Sequence, residues 1–429
     1  MKAYKEMSKQ ELEGLRVEFE TAYEAAKAKG MKLDMSRGKP ASEQLDFASG
    51  ILQTVNYENA HIAEDGTDCR NYGGLTGIPE ARRLVGELMD VPAANVIVRD
   101  NSSLNIMHDV ISRSVTHGVM GEPAWKLLDK VKFLCPAPGY DRHFAVTEYY
   151  GIEMITVPMT ATGPDMDIVE KHVNSDETVK GIWCVPKYSN PQGISYCDET
   201  VKRFAALRPA AADFRIFWDD AYVTHHLYEE EDKRDFILEI LGECEKAGNP
   251  DMVYKFCSFS KISFAGAGIS AVASSKANLD YMLGSLFFQT IGPDKLNMLR
   301  HAKFFRDLDG INAHMAKHAA LSRPKFEMIA EFLTKELGGL GIGTWINPRG
   351  GYFVSFDSLP GCAKAIIALL KEAGVVMTPA GATYPYGKDP EDTNIRIAPT
   401  FPPLAELVQA MELFVLCVKL ASVRKLLAG

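Results

Sequence analysis

The sequence predicts an α/β protein, a mostly parallel central sheet flanked by helices, with a smaller α+β domain beside it. Three observations carry that expectation. Short apolar runs recur through the middle of the chain at Val131–Cys135, Met154–Val157, Gly181–Val185, Phe214–Trp218 and Val253–Cys257. Unbroken runs of this kind are what strands buried on both faces look like. Each run ends in a polar or glycine-containing loop, and beyond about residue 310 the texture changes to long helical stretches. The length, 429 residues, is roughly two to three times that of a typical domain, so two packed or interleaved units are expected.

Taken in order, Lys9–Lys29 has helical periodicity, with Leu12, Leu15, Phe19 and Tyr23 among charged residues. A turn-rich segment follows at Asp34–Pro40, and the polar stretch up to Tyr72 carries few signals. Pro79 suits the first position of a helix running to Met89; Asn95–Val98 reads as a strand, and a helix begins at Ser103. The five apolar runs come next. After them a helical stretch surrounds Met315, and Pro324 opens a second helix to Leu337. A glycine-rich strand region at Pro348–Phe356 and two more helices complete the chain. The expected domains are a large α/β unit over 51–310 and a small α+β unit from 311–429. Residues 1–50, lacking a core of their own, join the small unit or pack across a dimer interface.

Hydrophobic residues make up 46% and charged residues 24%, a globular mixture that excludes disorder as the main state. Net charge is −9, the sign of a phosphate backbone, so nucleic acid is not an expected partner. The N-terminus has no apolar secretory core, and the run Leu404–Leu420 is interrupted by Glu406, Glu412 and Lys419, so neither export nor a membrane is expected. The eight cysteines lie far apart with no Cys-x-x-Cys pair. They read as reduced thiols of a cytoplasmic protein, and no metal is expected; adjacent His225 and His226 point in different directions on any regular element.

The chemistry falls where open parallel sheets bind ligands, at the carboxyl ends of strands. Lys261 follows the Val253 strand in Ser258-Phe-Ser-Lys261. A lysine desolvated there loses its proton readily and becomes a nucleophile for an aldehyde, although taken alone an exposed loop lysine is its plainer reading. Asp219 ends an apolar strand, where a buried carboxylate needs a cationic or hydrogen-bonding partner; a helix cap or loop role is its plainer alternative, and Asp220 competes for either. Tyr222 offers a phenol three residues on. Asn190, in Ser-Asn-Pro-Gln-Gly, offers an amide or forms a turn.

Asn190-Pro-Gln-Gly193, Asp219-Asp-Ala-Tyr222, Ser258-Phe-Ser-Lys261 and Asn394-Ile-Arg396 stand in the order and approximate spacing of the class I aminotransferases of pyridoxal-phosphate fold type I. Asn71-Tyr-Gly-Gly-Leu-Thr-Gly77 and Pro138-Gly-Tyr140 agree with that resemblance, which spans Asn71 to Arg396. Ser36-Arg-Gly-Lys-Pro40 and the glycine-rich stretch after Lys261 resemble the bacterial aspartate aminotransferase subgroup related to MocR-type proteins.

The resemblance implies pyridoxal 5′-phosphate as cofactor, with Lys261 as Schiff-base lysine and proton shuttle and Asp219 keeping the pyridine nitrogen protonated. It implies Tyr222 and Asn190 at the 3′ oxygen and Tyr140 stacked on the ring. Ser102, Ser103 and Ser258 would hold the phosphate at a helix N-terminus, with Tyr72 reaching in from a partner subunit. Arg396 would grip the substrate α-carboxylate beside Gly38 and Asn190, with Phe353 lining the pocket. For an acidic side chain Arg37, Lys295 and Arg300 are available, the first two in loop-like segments. Two departures stand out: Ile269 occupies the position of the usual phosphate-binding arginine, with Ser263 as a substitute by proximity, and Asn101 replaces the usual glycine.

The implied function is aspartate:2-oxoglutarate transamination by a ping-pong mechanism, on amino acid and 2-oxo acid substrates, in a homodimer with shared active sites. A carbon–sulfur β-lyase or an aminotransferase for another amino acid keeps the same cofactor chemistry. The third reading, a non-catalytic effector-sensing domain, lacks a basic winged-helix segment before residue 40.

Overall fold

The computed structural model of the protein describes residues 2–57 and 61–429. The chain opens with the helix Lys9–Lys27, whose start is fixed by a reciprocal cap: Ser8 Oγ accepts from Glu11 N–H, and the Glu11 carboxylate accepts from Ser8 N–H at 2.6 Å. A two-residue strand β1 (Leu33–Asp34) follows. The next eight strands build one sheet: β2 (Val96–Val98), β3 (Lys132–Ala137), β4 (Glu153–Thr160), β5 (Gly163–Pro164), β6 (Val179–Cys184), β7 (Arg215–Asp219), β8 (Val253–Ser258) and β9 (Ser270–Ala273). Their spatial order is β2-β9-β8-β7-β6-β3-β4-β5. The run β8-β7-β6-β3-β4 is parallel, while β9, β2 and β5 each pair antiparallel.

The parallel run brings the carboxyl ends of β3, β6, β7 and β8 to one edge, so the loops carrying Tyr140, Asn190, Tyr222 and Lys261 converge. Its interior is almost wholly apolar: Phe133, Ile182, Ile216, Phe217 and Phe256 are buried, and helices cover both faces. At Gly181 a Cβ would lie 2.3 Å from Cζ of Phe133, so the aromatic cluster of Phe133, Trp183 and Phe217 requires a glycine there.

A second core lies under the three-stranded antiparallel sheet β10 (Gly343–Trp345), β11 (Val354–Ser358) and β13 (Asn394–Ile397), in the order β10-β11-β13. Strand β12 (Val375–Val376) pairs parallel with β1. Tyr4, Leu12, Phe19, Tyr23 and Met35 share this core with the C-terminal helix Leu404–Ala428, whereas Ala48 and Ile51 pack in the large one.

The expected runs all lie in strands, but five elements differ or went unforeseen. The helix expected to open at Pro324 is the second half of one continuous helix, Leu308–Leu337, with Pro324 inside. Packing overrides the proline because Ile311 and Met315 are anchored in the large core and Phe326, Ile329 and Leu333 in the small one. The glycine-rich strand begins only at Val354; Gly351, with φ 84, makes a turn before it. Strand β9 and the helices Lys276–Gln289 and Lys295–Phe305 had no distinct signal in the sequence, β9 because Ser-Ala-Val-Ala is short and small. Among the described residues no helix is long and apolar enough to cross a membrane.

Burial holds several histidines neutral. His301 is pushed down to about 4, and His226 and His318 to about 3, in each case chiefly by desolvation. Unfolded histidines titrate near 6.5, so below that pH the unfolded chain binds protons that the folded chain refuses, and stability falls with pH. Urea melts at pH 7.5, 6.0 and 5.0 should show a progressive loss, smaller in His318→Asn. Carboxylates such as Asp176, held at about 2 first by Lys132, add their own loss only nearer their ordinary value of 3.8. Equal stability at pH 7.5 and 5.0 would refute this assignment.

Candidate active site

At the converging strand ends lies a cavity of about 200 Å³ lined by Ser102, Ser103, Tyr140, Asn190, Asp219, Tyr222, Ser258, Ser260 and Lys261, with Leu104, Met107, Val185, Ala221 and Ala265 as its apolar wall. Each polar group arrives there for a local reason. Asp219 is the last residue of β7 and is 3% exposed. Its Oδ2 lies 3.1 Å from His143 Nε2, while Oδ1 is buried with no partner in the chain. A buried carboxylate with an idle oxygen at a cavity wall calls for a donor from a ligand.

Lys261 sits three residues past β8 with its Nζ 5.1 Å from the centre of the Tyr222 ring and 5.9 Å from that of Tyr352. Desolvation lowers its pKa and the charge of Asp219 opposes that fall. The neutral, nucleophilic amine is therefore more populated than on a surface lysine. Burial raises the Tyr222 phenol well above its ordinary value and pushes Tyr140 up to about 12, so both remain hydrogen-bond donors at neutral pH.

Ser102 caps the helix Ser103–His117, its Oγ accepting from Leu104 N–H at 3.3 Å. The first N–H groups of this helix and the hydroxyls of Ser102, Ser103, Ser258 and Ser260 form one end of the cavity, an anion-binding arrangement. Asn101 Nδ2 donates to Gly266 O at 3.0 Å and Ser260 Oγ to Asn101 O at 3.4 Å, which tie the two serine loops together.

Arg396 comes from β13 of the small sheet and is 6% exposed. It donates from Nη1 to Asn190 Oδ1 at 3.2 Å and to Asp141 Oδ1 at 3.0 Å, and from Nε and Nη2 to Thr378 Oγ1 at 3.3 and 3.2 Å. The Phe353 ring lies under the guanidinium, 4.8 Å from its carbon, with its far edge against Gly38. Gly38 thus belongs to this layer by contact.

Other sequence expectations need correction. Lys295 is not in a loop: it starts the helix Lys295–Phe305, is 2% exposed, and donates to Asn71 O at 2.8 Å and Gly73 O at 2.7 Å. Its charge is spent on holding the Asn71–Gly73 turn, which removes it from the cations available to a substrate. Arg300 lies on the same helix with its Nε buried. Ser263 is 1% exposed and bonds to His301 at 2.8 Å, in the core rather than at the cavity, and Ile269 packs in that core too. Arg37 is exposed, and Tyr72 is 77% exposed and absent from the lining of its own chain's cavity.

Sequence reasoning missed His143, Ser260, Thr378 and Asp141. His143 stacks on Trp183 with centroids 4.4 Å apart and planes at 9°, and Trp183 Nε1 donates to Thr147 Oγ1 at 2.8 Å. The spacing of His143 and Thr147, one helical turn apart in the helix Asp141–Tyr149, was the available signal.

The model of the aspartate amino-transferase family matches residues 7–429. An aspartate aminotransferase of Corynebacterium glutamicum is 46% identical over 401 residues, covering 93% of this chain and 92% of its own. The crystal structure of an aspartate transaminase from the same species superposes with a TM-score of 0.96 at 43% identity, covering 99% of each chain. At 19% identity, the α-aminoadipate aminotransferase of Thermus thermophilus, solved with N-(5′-phosphopyridoxyl)-L-leucine, shares the fold with a TM-score of 0.72 over 94% of each chain.

The Gly38 layer makes a prediction independent of any ligand. A Cβ at Gly38 would lie 2.2 Å from Phe353 Cζ, so Gly38→Ala should cost about 1–3 kcal/mol of stability by overpacking. Adding Phe353→Leu should recover part of it, as read by urea melts of the single and double variants. An undiminished midpoint in Gly38→Ala would show that the ring yields freely.

Proposed function

This chain belongs to the aspartate amino-transferase family, and we propose that its substrates are aspartate and 2-oxoglutarate, exchanged by a ping-pong mechanism at the cavity around Lys261. It is an aminotransferase, and its cofactor is pyridoxal phosphate. The residues fit that group: the idle Asp219 Oδ1 suits a protonated ring nitrogen, and the serine-lined helix start suits a phosphate. When bound, the cofactor supplies an aldehyde that condenses with amines and a ring that accepts electrons from the substrate Cα.

The chain's own groups do the rest. Lys261 Nζ would carry the cofactor, give way to the incoming amine, and then take the proton from Cα. Asp219, its other oxygen against His143, would hold the proton on the ring nitrogen. Asn190, whose Oδ1 is taken by Arg396, would turn its amide N–H toward the 3′ oxygen together with the Tyr222 hydroxyl. Tyr140 would cover the ring face, and Ser102, Ser103 and Ser258 would donate to the phosphate. Arg396 would fix the α-carboxylate and so orient Cα toward Lys261. For the second carboxylate Arg37, an exposed cation beside Gly38, is the candidate.

A homodimer with shared sites is part of the proposal. The loop carrying Tyr72 is bonded to Ile291 (Gly73 N–H to Ile291 O, 3.1 Å), and Tyr72, Phe287, Phe288 and Ile291 are all exposed large side chains. An apolar surface of this kind supports burial against a second copy, which would bring Tyr72 to the neighbouring phosphate.

The observation that carries the reading is the pairing of a desolvated Lys261 with a buried, half-paired Asp219 in one cavity. Mixing the holoenzyme rapidly with L-aspartate should convert the cofactor spectrum to the amine form without releasing ammonia, and 2-oxoglutarate should reverse it. Conversion by alanine or an aromatic amino acid alone would refute the substrate; ammonia and pyruvate would indicate elimination. Lys261→Ala should abolish the exchange, and Arg37→Ala should raise KM for aspartate more than for alanine. His143→Leu, which strips Asp219 of its internal partner, should lower kcat about 10- to 150-fold with the cofactor still bound, the equivalent of one lost buried hydrogen bond to a charge.

A further inference from the structure

We propose that Asp141 is a resident stand-in for the substrate's α-carboxylate, pairing with Arg396 when the site has no substrate and giving up its place when one binds. The proposal rests on Arg396 being the α-carboxylate grip of the preceding reading. A guanidinium has five N–H groups. Here Nε and one Nη2 hydrogen point at Thr378 Oγ1, and the two Nη1 hydrogens go to Asn190 Oδ1 and Asp141 Oδ1. One Nη2 hydrogen is left. The Phe353 ring lies under the guanidinium plane, so a carboxylate has to approach in the plane, from the Nη1/Nη2 end.

A two-pronged grip from that end needs one hydrogen from each of these nitrogens. Nη1 has none to spare, so one present contact must yield. Thr378 is committed, because its hydroxyl donates to Ser36 O at 2.8 Å and can only accept from Arg396. Asn190 is 5% exposed, far less than Asp141, so giving up its contact to Arg396 is the costlier exchange. The Asp141 side chain is 35% exposed and returns to solvent at small cost. Asp141 also opens the helix Asp141–Tyr149, where a carboxylate freed from Arg396 remains favourably placed by the helix dipole.

The exchange replaces one carboxylate by another, so the buried guanidinium is never left without an anion, a state that would be strongly unfavourable. Amino donor and 2-oxo acceptor both carry the α-carboxylate and both meet the same competitor. Asp141 therefore acts as a positioning residue that lowers affinity for all substrates alike and leaves discrimination between side chains to other groups.

The test compares Asp141→Asn, Asp141→Glu and Arg396→Lys as holoenzymes, with the bound-cofactor absorbance and a thermal melt confirming that each is folded and loaded. In Asp141→Asn, KM for L-aspartate and for 2-oxoglutarate and the inhibition constant of succinate should all fall roughly three- to tenfold, the worth of one partly exposed charged contact. The kcat should change less than about twofold, because ground and transition states gain equally. Asp141→Glu, which keeps a carboxylate, should stay close to the parent enzyme. A rise in KM in Asp141→Asn would mean that Asp141 supports Arg396, and unchanged constants would mean that the contact has no bearing on binding; either overturns the proposal. Arg396→Lys should raise both KM values at least tenfold. If it does not, the assignment of Arg396 itself fails, a result distinguishable from failure at Asp141 alone.

Discussion

Asp219 ends strand β7 inside the protein with one oxygen bonded to His143 and the other bonded to nothing in the chain. A carboxylate in that position is costly unless something beyond the chain completes it. Much of the site follows from keeping it there. The five parallel strands supply the dry edge, Trp183 clamps His143 by stacking, and Thr147 ties Trp183 back to the same helix. The same desolvation that makes Asp219 costly lowers the pKa of Lys261, and the Asp219 charge limits how far it falls. The proposed nucleophile and its electrostatic anchor are thus set by one environment, and weakening either alters the other.

The proposed grip on the substrate comes from the other core. Arg396 is carried by β13 of the small sheet, while Asn190 reaches it from a loop of the large unit and Asp141 from the start of the helix Asp141–Tyr149. The helix Leu308–Leu337 is buried at one end in the large core and at the other in the small core, and so sets the distance between them. Through Thr378 the guanidinium is tied to Ser36, next to Arg37 and Gly38. Any shift of the small unit therefore moves Arg396, Phe353 and the Ser36–Gly38 turn together.

The strand runs were readable because burial on both faces leaves an unbroken apolar signature, and the strand-end motifs were readable because each combines a special residue with that signature. Lys261, Asp219, Tyr222 and Asn190 do meet in one cavity. What the sequence concealed depends on partners distant along the chain. His143 resembles any helical histidine until Asp219, 76 residues away, is beside it. Lys295 reads as an available cation until the carbonyls of Asn71 and Gly73, more than 200 residues earlier, are seen to occupy it. Pro324 misled for a related reason: local propensity marks a boundary there, and two separate cores hold the helix through it.

The serine-lined end of the cavity, proposed to hold the phosphate, follows a different physical strategy from the Arg396 end proposed for the substrate. Among the described residues lining the cavity, Lys261 is the sole cation, and Ile269 is buried in the core. What remains is a set of neutral donors, the hydroxyls of Ser102, Ser103 and Ser258 and the start of one helix. Hydrogen bonds from neutral donors to a charged acceptor are worth about 1.5–3 kcal/mol each, so several of them match a single arginine only when all are aimed in advance. The local structure provides that aim. Asp100 takes a left-handed conformation (φ 65) before the cap, and Asn101 and Ser260 bond the two serine loops to each other. Asn101 stands where a glycine was expected, and its side chain makes one of these ties, so on the proposed reading this departure and the absent arginine belong together: rigid placement of weak donors would take over the work of a fixed charge.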